Sequence, residues 1–78
     1  MNIGPKSGRW LRSVGIATYG DLFEAGAIAA FDRIRREVGI DHLMLLYALQ
    51  GAIDGRNLLD LPERRKRELR LAVGRDGD

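Results

Sequence analysis

The chain has 78 residues, 45% apolar, 31% charged and none of them cysteine. That excludes a disordered tail, a disulfide framework and a thiolate metal site, and leaves one small soluble domain, residues 1–78. The net charge of +2 is modest, but two basic ends flank a near-neutral middle, a distribution that points to an anionic partner more than the total does.

Residues 1–20 carry Lys6, Arg9 and Arg12 with no acid at all. From Lys6 to Val14 the apolar residues Trp10, Leu11 and Val14 fall at helical spacing, and Pro5 suits a first helical turn. Gly15 is a stop signal, with Ile16 behind it as the apolar contact such stops favour. Thr18 is placed to cap a second helix, with Asp21 three residues later in a capping-box arrangement and Leu22 and Phe23 as the apolar side. Gly26 is expected to interrupt before Ala27–Val38, where Ile28, Phe31, Ile34 and Val38 mark one stripe. Gly39 ends that segment and Asp41 starts the next, "DHLMLLYALQGAID", which is apolar on nearly every side and belongs at the centre of the fold. Gly51 and Gly55 would let neighbouring backbones approach it closely. Its longest apolar run, Leu43 to Leu49, has seven residues against the ~20 of a membrane span. "LLDLP" reads as a connector, and Pro62 opens a last helix that stops near Val73 at Gly74. Alternating strand patterns are absent, so the expected fold is all-α, a small bundle of about five short helices. The N-terminus lacks the basic-then-apolar pattern of a secretion signal, and a cytoplasmic location is expected.

The chemistry concentrates in "NIGPKSGRW", Asn2 to Trp10. A nucleotide-binding P-loop needs glycine directly before its Lys-Ser pair, where this chain has Pro5, and a dinucleotide fingerprint needs a preceding strand. What remains is a tight turn opening a helix, whose first N–H groups lack partners and accept an anion. Gly4 would let a phosphate approach the backbone, Asn2 tolerates left-handed geometry, and Lys6, Ser7 and Arg9 add donors around the same point. On the residues alone, a plain turn beside solvated bases is the slightly favoured reading.

Beyond the residues there is a resemblance. Ile3-Gly4-Pro5-Lys6-Ser7, Trp10-Leu11, Val14-Gly15-Ile16, Thr18 and Asp21-Leu22 are similar to a helix-hairpin-helix element. More closely, "NIGPKS", "WL", "VGI", Thr18, "DL", "GAIAAF", "LLYAL", "GAI", Gly55 and "LP", running in order from Asn2 to Pro62, resemble the C-terminal domain of the TfoX/Sxy regulators of bacterial competence. Asn2 departs from the glycine usual in such hairpins, and Met44, Gln50 and Leu58 stand where Asn, Glu and Trp are common. The N-terminal domain of full-length regulators is not in the sequence, which is read as an excised fragment or a stand-alone version. The resemblance implies a helix-hairpin-helix-like N-terminal part whose amides hold a DNA phosphate without reading bases. The site residues it implies are Asn2, Ile3, Gly4, Lys6, Ser7, Arg9 and Arg12.

Other residues carry less. His42 is the only histidine and is read as a packing or capping residue rather than a metal ligand. Ser7 and Ser13 have no base at hand, so no enzyme is expected, and no cofactor. Trp10 and Tyr47 read as core rather than as base-stacking platforms. Arg64, Lys66 and Arg67 form a basic patch that is either a solvated face, a second phosphate contact or a seat for an acidic partner. The expected function is a non-catalytic DNA-binding regulatory domain. The alternative is an interaction module that docks on a transcription activator, RNA polymerase or a second copy of itself as a homodimer.

Overall fold

In the computed structural model, which describes residues 5–75, the chain is an all-helical bundle: α1 (Pro5–Ser13), α2 (Tyr19–Glu37), α3 (Leu43–Asp54), a 3-10 turn (Leu58–Asp60) and α4 (Glu63–Ala72). Four α-helices stand where about five were expected, because α2 holds two helical segments joined across Gly26, whose φ 80° and ψ 158° lie outside helical geometry. The expected interruption is therefore a kink inside α2.

The kink decides which residues reach the core. Ahead of it, Leu22 is buried while Phe23, about 100° further round the helix, is exposed. Beyond it, the inward stripe is Ala27, Ala30, Phe31, Ile34 and the half-buried Val38, at intervals of three and four. Ile28, expected on that stripe, lies about 100° from Ala27 and is exposed. Alanine at 27 and 30 leaves the room through which α2 packs on α3.

Helix α3 is the centre, as its all-round apolar character required: Leu45 through Ala52 are buried without a break, and α3 packs on α2, the 3-10 turn and α4. It begins at Leu43 rather than Asp41. His42 holds the N-cap position without a side-chain bond, and Asp41 instead accepts from Arg75 Nη1 at 2.8 Å. Gly51 is buried within α3, whereas Gly55, also expected at a close approach, is exposed at its end.

Guanidinium groups tie the C-terminal helix down. Arg35 Nη1 donates to the Val73 carbonyl at 3.2 Å, and Arg70 Nη1 to the Tyr47 hydroxyl at 3.0 Å. Leu61, Leu69 and Val73 of this region enter the core, while Ala72 is exposed.

Between α1 and α2 the chain turns within a few residues. Gly15, at φ 86°, allows the Ile16 N–H to reach back to the Leu11 carbonyl at 2.8 Å, which closes α1 and buries Ile16. The start of α2 is a complete capping box. The Asp21 N–H donates to Thr18 Oγ1 at 3.1 Å, and Asp21 Oδ2 accepts from the amides of Ala17 at 3.0 Å and Thr18 at 3.1 Å. Thr18→Ala should cost about 1 kcal/mol, read as a lower midpoint in urea.

The amides of Ala17 and then Thr18 hold the Asp21 carboxyl below its ordinary value. A depressed carboxyl stabilises the fold above its unfolded pKa of about 4, and that contribution is lost as pH falls through the folded value. Asp21→Asn should therefore flatten the acid side of a plot of thermal midpoint against pH. An identical acid slope in both proteins would contradict the assignment.

Candidate nucleic-acid interface

Helix α1 owes its orientation to Leu11, buried inside it, to Val14 just beyond its end, and to Trp10, half-buried against the core. These residues fix one side of a nine-residue helix inward. At about 100° per residue, Lys6, Arg9 and Arg12 then fall within an arc of roughly 120° on the opposite side. All three are exposed. The sequence of the helix, PKSGRWLRS, holds no acid, and none of the three pairs with an acid among the described residues.

Ser7, expected among the phosphate donors, is half-buried on the inward side, about 100° from Lys6. Asn2, Ile3 and Gly4, the expected hairpin, lie outside the described residues. The structure thus brings together Lys6, Arg9 and Arg12 and turns Ser7 away from them. The remaining hydroxyl of the helix, on Ser13, donates to the Arg9 carbonyl at 2.8 Å.

Arg12 also borders an open groove of about 220 Å³ between α1 and the start of α2. Gly8, Leu11, Ile16, Tyr19 and Leu22 complete most of its walls. The Arg12 guanidinium lies back along its own helix, with Nη1 3.6 Å from where a Cβ on Gly8 would stand.

The C-terminal basic block is only partly a patch. Arg64 and Arg67 are exposed. Lys66, expected to face solvent, is half-buried with its ammonium 5.5 Å from the Tyr47 ring centroid, a cation–π contact that joins α4 to α3. Arg65 pairs with Glu68 at 3.3 Å and Arg70 with Glu63 at 3.2 Å. These acids offset Arg65 and Arg70 and leave Arg64 and Arg67 as the exposed cations of the block.

Phe23, expected with Leu22 on the apolar side of the helix, instead faces solvent, and Tyr19 carried no expectation. Tyr19 and Phe23 are exposed, and their rings lie 6.0 Å apart. Their four-residue spacing was the available signal, since it stacks two side chains on one helix face, whereas adjacent Leu22 and Phe23 cannot share one. Trp10 and Tyr47, by contrast, do serve the core.

Among the described residues no three His, Asp or Glu side chains are grouped as metal ligands, and no helix is long and apolar enough to cross a membrane. Compared with known protein families, residues 1–73 match the model described as the TfoX C-terminal domain. Searches of curated proteins and of solved structures found no match.

Proposed function

The chain belongs to the TfoX C-terminal domain family, and from that premise we propose that it is a non-catalytic regulatory domain that binds DNA through backbone phosphates. The family associates it with competence-related regulation. The observation that carries the DNA reading is the acid-free outer face of α1, where Lys6, Arg9 and Arg12 stand exposed and without an acidic partner among the described residues.

In this mechanism the three cations neutralise neighbouring phosphates and release the counterions condensed on them. Lys6 acts as a mobile point charge, whereas Arg9 and Arg12 offer planar forks that match phosphate oxygens. Backbone amides at the start of α1, together with Asn2, Ile3 and Gly4, form the proposed cap on one phosphate, helped by the positive end of the helix dipole. Contacts of this type fix position on a nucleic acid and specify no base. Arg64 and Arg67 are a candidate second contact. A promoter preference would come from a protein bound alongside.

Titration of labelled duplex DNA tests this directly. Three phosphate contacts give a slope of about −2.7 for log affinity against log salt, and Lys6→Glu/Arg9→Glu should remove roughly two-thirds of that slope while weakening binding at low salt. Equal, salt-insensitive behaviour of wild type and variant would sink the phosphate reading and favour docking on a transcription activator, RNA polymerase or a second copy.

A further inference from the structure

We propose that Tyr19 and Phe23 form a stacking platform for unpaired bases, so that the nucleic acid engaged by the α1 face is single-stranded DNA. This rests on the phosphate-binding reading of α1 and names the class of its ligand.

The chain has five aromatic side chains, one Trp, two Tyr and two Phe. Phe31 and Tyr47 are buried, and Trp10 is half-buried against the core. The other two, Tyr19 at 40% and Phe23 at 53%, are exposed. Their rings form a tilted pair at 45°, one helical turn apart, which presents a broad apolar surface rather than two isolated side chains. A solvated helix face ordinarily carries polar residues at such positions.

One ring of the pair stands beside a cation. Tyr19 and Arg12 line the same groove, and no acid lines it with them. Asp21 and Glu24, the acids nearest in sequence, instead border a separate depression with Gly15, Ala25 and Arg33. Asp21 is further occupied with the amides of Ala17 and Thr18. A strand crossing α1 would therefore meet positive charge along the helix, then a groove with a guanidinium at its edge, then exposed rings, with its phosphates not facing a carboxylate in that groove.

Two kinds of occupant fit an apolar groove beside cations, and the arrangement favours the nucleic acid. Three cations spread along one helix face suit a ligand with a repeating negative charge, whereas an acidic peptide needs only one or two. The rings stand on a convex helix face, where they can reach a base only if it is not already stacked in a duplex. Single strands offer such bases, and stacking on protein rings then adds affinity without selecting sequence.

The test uses the whole chain and two strands of equal charge: fluorescently labelled oligothymidylate of about 16 nucleotides and an abasic strand of the same length. Wild type should bind the thymidylate about tenfold or more tightly than the abasic strand, since stacking at roughly 1–3 kcal/mol per base converts to at least that ratio for two bases. Tyr19→Leu/Phe23→Leu keeps apolar bulk at exposed positions, so its circular dichroism should match wild type, and the preference should vanish. Equal binding of the two strands by wild type, or a preference retained in the leucine variant, overturns the proposal. Equal binding together with tight capture of an acidic amphipathic peptide overturns it in favour of a protein partner. A third variant, Lys6→Glu/Arg9→Glu/Arg12→Glu, addresses the parent reading alone. It should weaken the abasic strand and a duplex alike, and undiminished binding to both would remove the phosphate site whatever the rings do.

Discussion

Phe31→Ala is expected to cost about 3–5 kcal/mol and to lower the urea midpoint of the fold sharply. Phe31 is fully buried in the second half of α2, among the core residues that α2 and α3 share. Removing a buried ring forfeits its transfer energy and leaves a cavity that two packed helices cannot close. At roughly 0.05–0.15 kcal/mol per residue, a chain of this size has about 4–12 kcal/mol of total stability, so the loss is of the same order as the whole. Phe23→Ala supplies the comparison within one helix. Its ring is 53% exposed and touches Tyr19 rather than the core, and the change should stay below about 1 kcal/mol. Urea unfolding followed by circular dichroism reads both. Similar midpoints for the two variants would contradict the burial assigned to α2.

The second large effect is a sign reversal between two glycines. Gly26→Ala should destabilise by roughly 1–3 kcal/mol, because φ 80° with ψ 158° is a conformation essentially reserved for glycine. A Cβ there meets nothing within 4 Å, so the whole penalty is backbone strain and no repacking of neighbours relieves it. Gly8→Ala should instead stabilise by about 0.5–1 kcal/mol, since Gly8 lies inside α1 and its new methyl would meet only Arg12 Nη1 at ordinary contact distance. The same methyl group thus raises one thermal midpoint and lowers the other. Two shifts of the same sign would mean that α2 is not bent at Gly26.

Most of the helical plan was legible because its signals are local. Gly15, Gly39 and Gly74 follow the helices they were expected to end, Thr18 and Asp21 form the capping box their spacing announced, and the uniformly apolar segment lies at the centre. What was not legible depends on direction. The interruption at Gly26 was foreseen, but not the rotation of the segment after it, which turns Ala27 and Ala30 inward with Phe31 and Ile34 and leaves Ile28 exposed. The candidate site divides in the same way. Lys6, Arg9 and Arg12 could be placed on one face from spacing, because Leu11 fixes the opposite face. Ser7 was grouped with them by sequence proximity, and helical rotation carries it inward. Lys66 was grouped with Arg64 and Arg67 as one basic patch, and only the approach of α4 to Tyr47 gives its ammonium a ring to rest on.

The way the arginines are employed has a kinetic consequence. Arg35 and Arg36 share Asp32, Arg65 faces Glu68, Arg70 faces Glu63 and Arg75 faces Asp41, so these cations produce short-range fields that their partners largely cancel. The cations of α1 have no such partner among the described residues and stand on the outer face of a helix that carries no acid, so their positive field is not cancelled locally. Within about one Debye length, roughly 8 Å at physiological ionic strength, that field draws an approaching polyanion toward α1 before any contact forms. Salt should accordingly slow association and also shorten the lifetime of the phosphate contacts made after arrival.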